Sequence, residues 1–336
     1  VPRTIPLLRA LGLTVVLIIS GCAVPLPPPA MPPPPPTVTD GVFIMSDGAR
    51  LPYRQWLPKG SPSIVVLAFH GIDDSRDAWE RPAPILAAQG IAVIAPDQRG
   101  FGATPGRGYW PGTERLLLDA RTMALDVRDR YPTARLYLMG ESMGGAVLMA
   151  LAASRWAPPV DGYVFSAPAV WGRQEMNLFL RSVLWLADKT VPGMTLTGRG
   201  AGVVPTDDDA AWQRMSTDPL TLRETRVSAV KGLVDLMDRA LAAAGRINVP
   251  CLFLYGGHDE LVPKPAMVAA WRAEMASGER SVTYAFYPAG YHMLERDHEG
   301  SMVTADIAHW LEDPGAALPS GADRRARAWI AEQPAG

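Results

Sequence analysis

Cysteine is nearly absent from this chain: Cys22 and Cys251 are the two among 336 residues. That excludes a disulfide framework and a cysteine-rich zinc cluster. An excess of one charge is lacking too, since 32 Lys and Arg stand against 34 Asp and Glu, a formal net charge of −2. The charges are spread along the chain, so no basic stripe points to a nucleic-acid partner. The apolar run near the N-terminus, residues 11–19, falls short of the roughly 20 residues a comfortable membrane span takes. Histidine is scarce, with five residues, so each can be weighed as a general base. Apolar residues are plentiful: at 48% hydrophobic the chain can bury a substantial core in one large or two small α/β domains.

The first residues have the layout of a secretory signal: Arg3 and Arg9 precede the apolar run, which ends in Ser20 and Gly21 before Cys22. Ile19-Ser20-Gly21-Cys22 resembles the lipobox of bacterial lipoproteins. The resemblance implies cleavage before Cys22, lipid attachment to it, and a protein held at a membrane of the bacterial cell envelope. An ordinary signal peptide or an uncleaved anchor is the alternative. Within the linker expected over 23–40, residues 25–36 hold nine prolines, which predicts an extended polyproline spacer. Cys251, in an apolar strand-like run, reads as a small buried hydrophobe.

From residue 41 onward, runs rich in Val, Ile, Leu and Tyr alternate with helical patterns, the signature of an α/β fold with a mainly parallel, doubly wound sheet. Expected strands are 41–45 and 52–56 as an opening hairpin, then 64–69, 91–95, 135–139, 163–165, 251–255 and 282–287. The central ones are continuously apolar, as strands buried on both faces must be. Crossover helices are expected over 78–89 and 113–130. Residues of about 170–246 lack a strand pattern and read as an inserted helical cap, with a glycine-rich connection at 198–202. The folded α/β domain would span 41–312 and residues 313–336 would form a polar tail with one short helix.

Gly140-Glu141-Ser142-Met143-Gly144 follows an expected strand and precedes an expected helix, the context a nucleophile elbow requires. Glycines at that spacing suit a turn with no room for side chains. A serine hydroxyl is a poor nucleophile at neutral pH and needs a base, itself oriented by an acid. Two further strands run into Gly257-His258-Asp259-Glu260 and Gly290-Tyr291-His292. Catalytic groups in open parallel sheets gather beyond the carboxyl ends of strands, so Ser142, Asp259 and His292 are the candidate triad. His258 adjoins Asp259 in sequence, His298 lies in a charged stretch and His309 in a surface helix; Glu260 is the alternative acid. The amides of Met143 and Ile72 are the candidate oxyanion donors. His70 is expected to hold its loop. Serine, imidazole and amides suffice for this chemistry without a metal or organic cofactor.

Phe69-His70-Gly71, Pro96-Asp97-Gln98-Arg99-Gly100-Phe101-Gly102, the Ser142 elbow, Gly257-His258-Asp259 and Tyr291-His292 occur in the order and context of the monoacylglycerol lipase and lysophospholipase branch of α/β-hydrolases. Residues 41–312 resemble that branch. The resemblance implies the doubly wound sheet, the cap, the triad and oxyanion roles above, and a single-chain acyl ester or lipid as substrate. Asp97 and Arg99 would order the loop after the second parallel strand. Peptidases and thioesterases share the fold, and a non-catalytic lipid-binding or scaffolding protein is the rival of another class. Epoxide and haloalkane chemistry would place a carboxylate at Ser142. One departure stands out: Glu141 replaces the histidine that commonly precedes the serine in monoacylglycerol lipases.

Overall fold

The computed structural model describes residues 37–197, 202–278 and 282–334. The apolar N-terminal run, the lipid-attachment reading of Cys22, the prolines of 25–36 and most of the 198–202 connection lie outside the described residues. In chain order the elements are β1 Thr37–Ile44, β2 Arg50–Leu57, β3 Ile64–Phe69, α1 Pro82–Ala88, β4 Ile91–Pro96, α2 Thr113–Arg130, β5 Arg135–Glu141, α3 Met143–Ala152 and β6 Gly162–Ser166. There follow α4 Leu178–Thr190, β7 Thr195–Leu196, α5 Asp209–Thr217, β8 Thr225–Arg226, α6 Val227–Ala243, β9 Cys251–Gly256, α7 Lys264–Ala276, β10 Val282–Tyr287, α8 Gly300–Glu312 and α9 Ala322–Glu332.

Eight strands form one sheet in the order β1-β2-β4-β3-β5-β6-β9-β10. β1 and β2 pair antiparallel, β2 joins β4 antiparallel, and every later pairing is parallel. This is the doubly wound α/β architecture. The continuous apolar runs are explained by side chains alternating between two cores. Val65, Leu67 and Phe69 of β3 enter the core beneath α2, α3, α6 and α7, whereas Ile64, Val66 and Ala68 enter the core beneath α1 and α8. Leu136 and Leu138 of β5 divide from Tyr137 and Met139 in the same way. Cys251 is buried in the first of these cores.

Several boundaries differ from the sequence reading. Residues 37–40, expected in the linker, already pair with β2. The helix expected over 78–89 is interrupted: a 3-10 turn, Arg76–Trp79, precedes α1, which begins at Pro82. Proline lacks an amide donor and is accepted in a helix's first turn but not its interior. The expected insert of 170–246 also contains a helix of the main layer. α6 buries Val234, Leu236, Met237 and Ala240 in the core that holds α3, whereas α4 buries none of its residues.

The tail expected over 313–336 is corrected most. α9 puts Ala326 and Trp329 into the core, with the Trp329 ring 4.6 Å from Phe286 and 5.3 Å from Trp271. Ala322, Ala326, Trp329 and Ile330 share a helix face, and the intervening arginines mask that face in a composition-based reading.

Candidate active site

Ser142 stands between β5 and α3 with φ 52° and ψ −116°. A non-glycine residue at such angles is strained and persists only where its surroundings impose it. Here they do. The Ser142 amide donates to the Ser166 carbonyl at 3.0 Å, and the Ser142 carbonyl accepts from Ala146 at 3.0 Å and Ala169 at 2.9 Å. The flanking glycines have no space for a side chain. A Cβ on Gly140 would lie 2.5 Å from the Gly144 and Gly145 backbone, and one on Gly144 would lie 2.3 Å from the Phe69 carbonyl oxygen.

Asp259 and His292 are brought together by two loops that follow neighbouring strands. The His258 amide donates to the Gly290 carbonyl and the Gly257 amide to the Tyr287 carbonyl, each at 2.8 Å. Gly256 and Gly257 permit this approach, since a Cβ at either would meet backbone oxygens of the opposite loop within 2.5 Å. His292 Nδ1 then donates to Asp259 Oδ2 at 2.9 Å, with both side chains buried. The other carboxylate oxygen accepts the amides of Leu261 at 2.8 Å and Val262 at 2.9 Å. Burial opposes the charged imidazole, but the charge and hydrogen bond of Asp259, joined by the charge of Glu141, outweigh it and hold His292 above its ordinary value.

The remaining candidates separate cleanly. Glu260 is exposed and accepts from the Val204 amide at 3.3 Å. His258 is exposed and stacks on Tyr291; His298 is exposed beside Asp208. His70 is fully buried, its Nδ1–H donating to the Gly71 carbonyl at 2.7 Å and its Nε2 accepting from the Gln98 amide at 3.0 Å. Asp97 accepts the amides of Arg76 and Ala103, and Arg99 forks onto Asp119 at 2.6 and 3.0 Å. These three residues order the loops around the site.

For the oxyanion donors, Met143 opens α3, where first-turn amides have no partner within the helix. Ile72 follows Gly71, whose Cβ position lies 3.4 Å from the Ser142 Cβ and 3.6 Å from a Glu141 carboxylate oxygen. Both candidate segments therefore border the serine.

Sequence reasoning missed a buried charge network beneath this constellation. Glu141 accepts from Arg296 Nη2 at 2.5 and 2.8 Å, and Arg296 Nη1 donates to Asp74 at 2.7 Å. Glu295, fully enclosed beside Ser166, is pushed well above the usual carboxylate range by burial and by the charge of Glu141. A signal existed: an acid inside an apolar elbow must find a cation or a proton, and Arg296 lies just past His292 in sequence.

An eight-stranded, mainly parallel sheet with a strained serine elbow and an acid–histidine pair at its strand ends defines an α/β-hydrolase fold of serine-hydrolase type. Residues 60–299 match the family described as serine aminopeptidase, S33, and the chain belongs to that family. It is 26% identical over 268 residues to a monoacylglycerol lipase of Mycolicibacterium smegmatis, covering 79% of this chain and 93% of the relative. It is 27% identical over 283 residues to the monoglyceride lipase of Mus musculus, covering 83% and 92%. Among solved structures, a soluble variant of Saccharomyces cerevisiae monoglyceride lipase in complex with a substrate analogue superimposes with TM-score 0.68 at 20% identity, covering 84% of this chain and 96% of that one. That likeness shows the shared fold.

Proposed function

We propose that this protein is a carboxylic ester hydrolase that cleaves monoacylglycerol or lysophospholipid-type esters through Ser142, His292 and Asp259. The observation carrying the proposal is the 2.9 Å hydrogen bond from His292 Nδ1 to Asp259. With Nδ1 protonated, Nε2 is the basic nitrogen that takes the Ser142 proton as the hydroxyl attacks the ester carbonyl. Asp259 stabilises the resulting imidazolium. The Met143 and Ile72 amides hold the oxyanion, the leaving alcohol takes the proton from His292, and water then releases the acid from the acyl-serine.

The lipid character of the substrate is supported by two independent features. The relatives named above are monoacylglycerol and monoglyceride lipases. The insert also presents an apolar surface, with Leu178 78%, Phe179 77% and Trp185 63% exposed on α4; a helix this apolar on its open side suits a lipid interface. Lipid attachment at Cys22, followed by the proline spacer, would keep the enzyme at the bacterial envelope where such lipids lie. Among the described residues no helix is long and apolar enough to cross a membrane.

A turnover panel of monoacylglycerols, lysophospholipids, short aryl esters, thioesters and aminoacyl amides tests the substrate class. The proposal expects the highest kcat/KM on a single-chain acyl ester. Preferential amide or thioester cleavage would reassign the chain to a peptidase or thioesterase of the same fold. A folded protein inert to every member of the panel would favour the non-catalytic lipid-binding alternative.

A further inference from the structure

Arg296 lies four residues after His292, in the short 3-10 turn Leu294–Arg296. Its guanidinium reaches Glu141, the residue before Ser142, through both carboxylate oxygens, and reaches Asp74, two residues after Ile72. One side chain thus touches the three segments that carry the candidate nucleophile, the oxyanion donor and the base. The three partners are nearly enclosed, with side-chain exposures of 7% for Arg296, 4% for Glu141 and 8% for Asp74.

A buried ion pair is weak evidence of stability, because removing the charges from water offsets most of their attraction. Its informative property is geometry. A guanidinium is a rigid planar fork that can hold two carboxylates at fixed separation, which a lysine ammonium cannot reproduce. The backbone of Arg296 is fixed as well: its carbonyl accepts from Arg81 at 2.9 Å and Thr206 at 3.3 Å. The oxyanion segment has a second restraint. Asp73, at φ 61°, accepts from the Thr225 hydroxyl of β8, and its carbonyl accepts from the Leu222 amide at 2.7 Å. The His70 hydrogen bonds to Gly71 and Gln98 hold the start of the segment, and the Arg296–Asp74 contact adds a restraint at its far end.

We propose that Arg296 is a positioning residue that fixes the Ile72 segment and the Ser142 elbow relative to His292 through Asp74 and Glu141. The proposal rests on the triad reading for its catalytic consequence, but the mechanical tie is independent of turnover. It also gives Glu141 a purpose: the acid at the elbow is the handle by which the serine turn is held.

The test uses the whole chain with Arg296→Lys, Glu141→Gln and the charge-neutral triple variant Arg296→Met, Glu141→Gln, Asp74→Asn, the last guarding against a misfolded single deletion. Hydrogen exchange is read first. The tie predicts at least tenfold faster amide exchange in peptides covering 70–76 for Arg296→Lys and the triple variant, with the β1–β2 hairpin unchanged. Exchange in 70–76 equal to wild type in both would overturn the proposal whether or not the protein hydrolyses esters.

On a soluble short-chain ester, Arg296→Lys is expected to lower kcat ten- to a hundredfold with KM within threefold. The electrostatic signature is separate: His292 is faced by Asp259, Glu141 and Arg296, so Glu141→Gln should move the acid limb of kcat/KM to lower pH. Wild-type kcat in a folded Arg296→Lys protein, with the limb unmoved in Glu141→Gln, would contradict the positioning role while leaving the triad standing. A wild type that turns over no ester would remove the triad reading and leave the exchange result to decide the tie.

Discussion

Asp259 divides its two carboxylate oxygens between different tasks: Oδ2 receives the His292 Nδ1–H, and Oδ1 receives the amides of Leu261 and Val262. The backbone bonds prevent the carboxylate from rotating, so the imidazole it orients is fixed with it. Asp259→Asn preserves size but offers an amide that favours the opposite ring tautomer. A loss of kcat of roughly 10³- to 10⁴-fold is expected. Glu260→Gln, at an exposed acid, should remain within twofold; steady-state kinetics on one ester compare the two. Equal losses would assign the acid wrongly.

The pH profile follows from His292. In the proposed reaction only its neutral form accepts the serine proton, and its folded-state value is raised above 6.5 by Asp259 and Glu141 against the opposing effect of burial. Activity should therefore be lost as pH falls, with the acid limb of kcat/KM centred above 6.5. A profile flat from pH 5 to 8 with chemistry limiting would contradict the assignment.

Gly144 has no room for a methyl group, because its Cβ would lie 2.3 Å from the Phe69 carbonyl oxygen. Gly144→Ala should displace β3 or the elbow, costing on the order of 1–3 kcal/mol or more and most of the activity. Gly60→Ala is the contrast: it meets nothing within 4 Å, although its φ of 87° carries some strain. Urea titration of both variants should rank Gly144→Ala far lower.

Glu295 carries a stability prediction with a definite sign. Its carboxyl titrates above the ordinary range in the folded protein because burial and Glu141 disfavour its charge. The unfolded chain ionises first as pH rises, so native stability is full at low pH and erodes toward neutrality. Glu295→Gln, which mimics the protonated acid, should melt near wild type at pH 5 and above wild type at pH 8. Parallel melting curves across that range would show that Glu295 is ionised in the native state.

Trp329 tests the corrected C-terminus. It is 9% exposed and packed on Phe286 and Trp271, so Trp329→Ala should cost about 3–5 kcal/mol. A dispensable tail would lose less than about 0.5 kcal/mol, and denaturant unfolding separates the two.

The parts legible in the sequence were those written in local patterns. The two-faced apolar runs disclosed the parallel strands, and the bounds of α2 and β10 coincide with their patterns. Asp259 and His292 could be picked by their places after strands, and the structure joins them. The rest depended on tertiary partners. α9 hid its Trp329 face among arginines, Pro82 restarted a helix that apolar spacing alone ran through, and α6 joined a core that its sequence does not name. The Asp74–Arg296–Glu141 network spans 222 positions of sequence, a separation at which no local rule pairs charges.

The most direct measurement of the central claim is covalent labelling of the intact protein by a fluorophosphonate, followed by mass spectrometry of the modified peptide. The account predicts a single adduct on Ser142, abolished by Ser142→Ala and slowed by at least a thousandfold in His292→Ala, with both variants folded. A folded wild type that does not react, or an adduct on another serine that survives Ser142→Ala, would contradict it.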